Sequence, residues 1–319
     1  MNDGATSDVV TMLTNHFANV IYFDLGRYLI AAGFMTALLL IFRGWAGRRK
    51  IQERKAARQD YAREVLSSLR TVLVFAVTTL LTLAGRELGV IELKLEAFTL
   101  FTLIWQTVLM VLVHDAYFYW MHRAIHHKKL FRATHLHHHK SRTPTPWAAY
   151  SFSSAEAALE AVFVPLFLLT TSLFGIAYAG FAIFLFLWHM ILRNVIGHAG
   201  HEIYPAGWVD NRFFSWWNTT THHDLHHSEG RHNFGLYFTW WDKWMGTEHP
   251  RYKEEFRANA LPIRLPFPLR IFRESKGTGS KLARIPGSSA EKASVITMAL
   301  FSAAVTLGGP LSAVELGAF

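Results

Sequence analysis

The chain has 319 residues, 51% of them hydrophobic and only 17% charged, with a mean hydropathy of +0.17 and a formal net charge of +9. That composition excludes a disordered or highly charged scaffold. There is no cysteine, which excludes disulfides, thiolate-ligated haem, iron–sulfur clusters, cysteine zinc fingers and cysteine nucleophiles.

In chain order, the apolar residues gather into uncharged runs at 28–42, 71–84, 97–113, 162–174 and 176–192. Each is slightly shorter than the roughly 20 residues of a spanning helix, and flanking residues can extend it. Asp24 and Arg27 precede the first run at i,i+3 spacing, suited to pairing at the membrane interface. The leader carries Asp3 and Asp8 rather than a basic n-region, which argues against a cleaved signal peptide. Arg43, Arg48, Arg49, Lys50, Arg54, Lys55, Arg58 and Arg63 crowd the segment after the first run, which reads as cytoplasmic. The loop at 86–97 sets Arg86 and Lys94 against Glu87, Glu92 and Glu96, fitting the opposite side. The positive charge is thus a topology signal, and no basic face for nucleic acid is evident.

Residues 162–192 contain no Asp, Glu, Lys or Arg. As a single helix they would extend about 46 Å at 1.5 Å per residue, too long for a hydrocarbon core of about 30 Å. A break at Gly175 makes a hairpin and returns the chain to its starting face. Residues 43–70, 114–160 and 193–290 then share the cytoplasmic side. The expected fold is an all-α membrane protein of four to five transmembrane helices, built as two hairpins, with a cytoplasmic helical cap holding a histidine-rich dimetal site. Three segments are expected: 1–70 with the first helix and basic loop, 71–260 as the catalytic membrane domain, and 261–319 as a C-terminal extension. The extension holds a modestly apolar stretch at 293–307, spanning or lying on the surface. The pair Gly277 and Gly279 before it lacks the third glycine and βαβ setting of a nucleotide loop.

Histidine carries the functional argument. Of 18 histidines, eight fall in 114–139 and seven in 198–232, both beside membrane exits on one expected face. His122 and His126 are at i,i+4; His135, His138 and His139 form H-x-x-H-H, and His223, His226 and His227 repeat it. These spacings place imidazoles on a common helix face. Neutral imidazole offers one lone pair to a metal and a second ring nitrogen for an orienting hydrogen bond. More inward-facing imidazoles than one ion can use point to two ions. A lone H-x-x-x-H arises on ordinary helix surfaces, and a histidine-rich tract can be a non-specific metal sponge; the repeated motifs outweigh both. His189 reads as a core residue, His16 and His249 as peripheral, His137 as an outward flank, and His114, His127 and His232 as ambiguous. Carboxylate di-iron bundles and H-E-x-x-H proteases find no match. Asp115 and Asp224 are suited to hydrogen-bond ligating imidazoles, although a helix–helix polar contact explains Asp115 equally well.

The run Asp115, Tyr119, Trp120, His122, Arg123, His126, then His135, His138 and His139, then His198 before Gly200, then His222, His223, Asp224, His226 and His227, with Asn233, Gly235, Trp241, Asp242, Gly246 and Thr247, resembles the fatty acid hydroxylase superfamily, also called the sterol desaturase family. The resemblance covers roughly residues 100–250. It implies a membrane-embedded non-haem di-iron oxygenase that hydroxylates or desaturates a membrane lipid with O2 and external electrons. The implied ligands are His122, His126, His135, His138, His139, His198, His223, His226 and His227, with His201 or His222 as a tenth. Two Fe ions are implied, with Zn as a substitute during expression. The chain departs from the family pattern at 151–154, where members often carry another histidine, and at Phe118, where some do.

No cytochrome b5 haem pair, flavin fingerprint or cysteine cluster is present, so electrons must come from a separate cytochrome b5-, ferredoxin- or flavoprotein-type donor. Trp147, Tyr150 and Phe152 are candidate substrate-facing residues, with interfacial anchoring as their rival role. The expected location is a bacterial inner membrane or the endoplasmic reticulum, histidines on the cytoplasmic face. A membrane dizinc hydrolase and a non-catalytic metal-binding or transport protein are the alternatives. The transport reading wants charged residues lining the spans, where the sequence offers only Gln106, Glu160 and His189.

Overall fold

The computed structural model describes residues 3–94 and 98–261, with side chains from residue 16 onward. The stretch at 293–307 lies outside the described residues. Within them the chain is almost wholly helical: α1 (Asp3–Ile41), α2 (Arg43–Gly47), α3 (Arg58–Glu87), α4 (Leu100–Ile125), α5 (Phe131–Thr134), α6 (Ser154–Ala161), α7 (Phe163–Leu173), α8 (Gly180–Gly197), α9 (Thr220–Glu229), α10 (Trp240–Trp244) and α11 (Tyr252–Asn259).

Among the described residues, five helical stretches are long and apolar enough to cross a membrane: His16–Ile41, Arg58–Glu87, Leu100–Ile125, Ser154–Leu173 and Gly180–Gly197. They agree in number with the apolar runs but are longer, because polar turns that would face the headgroups continue the same helices. The break in 162–192 falls where expected, with Gly175 at φ +69°. That left-handed conformation is open to glycine and strained for residues with a Cβ. Earlier in the same span, Val162 separates α6 from α7 and Pro165 lies in the first turn of α7, where its missing N–H leaves no helix bond unmade.

The two turns opposite the histidines meet each other. Leu93 and Lys94 (β1) pair in parallel with Tyr178 and Ala179 (β2). Gln106 of α4 secures this end, its Nε2 donating to the Ala177 carbonyl at 3.1 Å and its Oε1 accepting from the Ala179 N–H at 2.8 Å. At the other end, the segments after α1, α4 and α8 pack together. Lys50 bridges to His201, and Gln52 donates to both the Arg142 carbonyl and Asp224, each at 2.8 Å. Both histidine windows therefore lie on one side of the bundle.

The Asp24–Arg27 pair forms at 2.6 Å but not at an interface, as its spacing suggested; the residues are 1% and 4% exposed, inside the bundle. α8 packs against this part of α1, and Arg27 reaches toward the Leu187 carbonyl at 3.5 Å. A sequence cannot show which neighbour will cover a given turn.

Candidate metal centre

Nine imidazoles converge where α4, the turns after it, the end of α8 and α9 meet. Their inward nitrogens form two groups: His122, His126, His135, His139 and His226, and His138, His198, His223 and His227. These are the nine residues marked in the sequence. In the first group, neighbouring Nε2 atoms stand 3.0–3.2 Å apart. In the second, they stand 3.1–3.3 Å apart. Neutral imidazole lone pairs facing one another at this range repel. Nitrogens bound to one ion at about 2.0–2.1 Å are roughly 2.8–3.4 Å from each other at cis or tetrahedral angles. The geometry fits two ions, one per group.

The opposite ring nitrogens give the same answer. Nδ1 of His122 donates to the Phe234 carbonyl at 2.8 Å, that of His198 to the Asn194 carbonyl at 2.7 Å, and that of His226 to the His232 carbonyl at 2.7 Å. His135 Nδ1 meets Glu156 Oε1 at 2.7 Å, and His138 Nδ1 faces the Ser151 carbonyl at 3.4 Å. A carbonyl can only accept, so the proton sits on Nδ1 and the Nε2 lone pair points inward. Burial pushes the imidazoles down from the usual histidine value, to about 4 for His139 and His198 and about 2 for His126, with neighbouring imidazoles pushing His126 further down. They are neutral, the form that binds metal, at any physiological pH.

Local sequence explains the placement. α9 starts at Thr219, whose hydroxyl accepts from the His222 N–H at 3.3 Å, and stops at Gly230 with φ +70°. Residues 220–227 are all buried. The Glu202 carboxylate fixes the start of α9, accepting from the Thr221 N–H at 2.9 Å and the Thr221 hydroxyl at 2.7 Å. Arg49 of the basic segment reaches over it to the Glu202, Tyr204 and Leu261 carbonyls. α9 approaches α8 closely: a Cβ on Gly197 would sit 3.2 Å from the His223 ring.

The carboxylates correct the sequence reading. Asp115 touches no imidazole of either group; it accepts from the Tyr237 and Phe238 N–H groups at 3.0 and 3.3 Å and from the Trp240 indole at 2.7 Å. Asp224 accepts from Gln52. Asp242 binds the Phe234 and Gly235 N–H groups, each at 2.8 Å. Asp115 and Asp242 thus hold the 234–240 loop, which delivers the Phe234 carbonyl to His122. Among the described residues, the carboxylate that does contact an imidazole of these groups is Glu156, which the spacing did not single out. Its signal was the Ser153-x-x-Glu156 helix start, which the structure forms as an N-cap with the Glu156 N–H bonded to Ser153 Oγ at 3.1 Å.

Neither candidate for a tenth ligand joins a group. His201 Nδ1 faces the Ala199 carbonyl at 2.8 Å, and His222 lies 3.6 Å from Asp242. His137 turns outward to Ser67 at 2.7 Å. His249 is buried rather than peripheral, and meets Glu229 at 2.8 Å beside His232. Phe118, the departure from the family pattern, packs its ring 5.0 Å from His122. Tyr150 and Phe152 belong to the core, Tyr150 stacked on Tyr28 at 5.5 Å, while Phe152 also lies 5.1 Å from His138. Trp147 packs half-buried on that core, its carbonyl accepting from Tyr28.

Helices of spanning length return both histidine windows to one end of the bundle, where nine imidazoles meet in two groups, each able to hold a metal ion. Comparison with known proteins shows what the histidine-bearing segment is similar to. The fatty acid hydroxylase family matches residues 107–247, the segment holding all nine imidazoles. The chain is 26% identical over 235 residues to a Delta(7)-sterol 5(6)-desaturase of Gibberella zeae, covering 71% of this chain and 70% of the relative. It is 30% identical over 164 residues to a C-4 methylsterol oxidase of Schizosaccharomyces pombe, and 28% over 149 residues to a lathosterol oxidase of Rattus norvegicus. These two alignments span about half of each partner, 51% and 46% of the relative. No solved structure matches the chain significantly. Over the segment 107–247 the chain is thus similar to the fatty acid hydroxylase family.

Proposed function

We propose that this protein is an integral membrane oxidoreductase that uses two iron ions, O2 and external electrons to hydroxylate or desaturate a membrane lipid. The observation that carries this reading is the convergence of nine neutral imidazoles into groups of five and four, in a family whose relatives above are named sterol desaturases and oxidases. His122, His126, His135, His139 and His226 would hold one ion, and His138, His198, His223 and His227 the other. Imidazole donors accept iron, zinc or copper, and iron supplies the redox chemistry that breaking an unactivated C–H bond requires. The chain's own residues keep the donors deprotonated, fix their rotation through the Phe234, Asn194, His232 and Glu156 oxygens, and exclude water with Phe131, Phe152 and Phe234.

The basic segment 43–63 lies beside this face, and Gln52 and Arg49 tie it to the site. It suits an acidic electron donor of the cytochrome b5, ferredoxin or flavoprotein type. By the excess of basic residues, the face is cytoplasmic. Residues 71–260 would form the catalytic unit, and 1–70 an added helix with its basic loop.

Comparative lipidomics of cells carrying the wild-type protein or His138→Ala tests the reading. The expected result is a gain of one oxygen, or a loss of two hydrogens, in one lipid class with the wild type only. Unchanged lipids with iron-loaded protein and a competent reductase would overturn it. So would full activity with zinc alone, which would favour a hydrolase.

A further inference from the structure

Between α1, α3, α4, α6, α7 and α8 lies a partly open cavity of about 150 Å³. Most of its wall is apolar, including Leu83, Leu168 and Leu187, yet His114 and Glu160 also line it. His114 is only 1% exposed, and neither ring nitrogen has a hydrogen-bond partner among the described residues. Its ring is caged by Phe163 at 4.6 Å, Phe186 at 5.2 Å and Tyr237 at 5.4 Å. The Tyr237 hydroxyl and His189 Nε2 are unpartnered as well, their rings 4.7 Å apart. On the same wall the Arg27 guanidinium is committed to Asp24, leaving Glu160 without an ion-pair partner among the described residues. Buried polar atoms without partners are rare, because each forfeits its hydration. Several around one intramembrane spot mark a place where a ligand's oxygen completes the hydrogen bonding.

We propose that this cavity is the subsite for a neutral hydroxyl group of the lipid substrate, held between Glu160 and His114, with the hydrocarbon body against the leucines. The proposal rests on the lipid-oxidase reading above and names its substrate class. A hydroxyl both donates and accepts hydrogen bonds, so it can bridge the Glu160 carboxyl group and the His114 imidazole at once. A fatty acid carboxylate would have to bury its charge in this largely apolar wall with no free cation to meet it, since Arg27 is committed to Asp24. An unsubstituted acyl chain would leave His114 and Glu160 unpaired. The cavity has room for the polar end, not a whole lipid. His114 lies two turns of α4 from His122, roughly 12 Å along the helix, with Phe118 between them at 6.1 and 5.0 Å.

The test is equilibrium binding to the intact metal-loaded protein in lipid nanodiscs. The probes are 1-octadecanol with octadecane, a 3-hydroxysterol with its 3-deoxy analogue, and stearate. The hydroxyl member of at least one pair should bind tenfold or more tightly than its hydrocarbon partner, and tighter than stearate. In His114→Phe and Glu160→Leu that ratio should fall close to one while hydrocarbon affinity and metal content hold. Equal affinities within both wild-type pairs would overturn the proposal, as would a ratio that survives in both variants. If the variants fail to fold, the wild-type ratios alone decide. Binding needs no turnover, so failure of the oxidase reading, seen as absent oxygen uptake, is scored separately.

Discussion

At the scale of single residues, the site depends on what stands behind each imidazole as much as on the imidazole itself. Glu156 accepts from His135 Nδ1 at 2.7 Å, with both side chains buried. Replacing it by Gln exchanges the carboxyl group for an amide but keeps an acceptor. Changes to such oriented partners usually cost about 10–100-fold in metal affinity or activity. Glu156→Gln should therefore bind its ions more weakly by that factor while helical content stays the same, a loss readable by metal analysis after dialysis; undiminished metal content would count against the role. The pH dependence has a definite sign. Burial lowers the imidazole values of His139 and His198 to about 4, against about 6.5 for an exposed histidine. The unfolded chain thus binds more protons between those values, and stability falls as pH falls through about 6.5 to 4. Acid also protonates the metal donors. Thermal unfolding of the metal-free protein should show a midpoint falling across that window and flat above pH 7.

At the scale of elements, two short segments decide whether the imidazoles meet. α9 carries three of the nine grouped imidazoles, and His222 besides, on eight consecutive buried residues, a density that an amphipathic helix would not tolerate without partners on every side. The 233–247 loop supplies one such partner, and its Gly235 has no room for a side chain: a Cβ would lie 2.6 Å from the Phe238 carbonyl and 3.0 Å from Asp242 Oδ2. Gly235→Ala must shift the loop and with it the Phe234 carbonyl on His122. We expect a destabilisation of about 1–3 kcal/mol, typical of overpacking, together with metal loss concentrated in the five-imidazole group. A variant with wild-type melting temperature and two retained ions would refute this. The helix starts and stops around the site were legible from Thr219, Ser153 and Gly230, because capping is a local interaction. The role of Asp115 was not. Its partners, Tyr237, Phe238 and Trp240, are more than 120 residues away.

At the scale of the whole molecule, the question is which side of the membrane each end of the bundle faces. The absence of cysteine makes the test direct. Single cysteines at the exposed positions Glu53 and Ser228 should react with an impermeant thiol reagent only from the cytoplasmic side, and one at Leu88 only from the other. Reaction of positions 53 and 228 from opposite sides would break the shared face on which the site depends. The same reasoning ties metal to stability, since residues from α4, α8 and α9 meet at the two groups. Chelation should lower the melting temperature and raise proteolysis of the 198–232 segment, whereas stability indifferent to chelation would mean the groups assemble without ions.

The sequence by itself determined the helical class, the approximate spans, the hairpin break at Gly175 and eight of the histidines that come together, since hydropathy, left-handed turns and i,i+3/i+4 spacing are properties of neighbouring residues; His198 was implied only by the family resemblance. It also overreached in particular places: Asp24 and Arg27 read as interfacial and are buried, Asp115 and Asp224 read as partners of imidazoles and instead hold the 234–240 loop and Gln52 respectively, and Trp147, Tyr150 and Phe152 read as facing a lipid and pack with the core. Only the tertiary structure decided the division of imidazoles into five and four, the part played by Glu156, and the meeting of His114 with Glu160 at one cavity. Each is a contact between elements far apart in the chain, and packing, rather than any local preference, sets which of many polar groups becomes the neighbour of another.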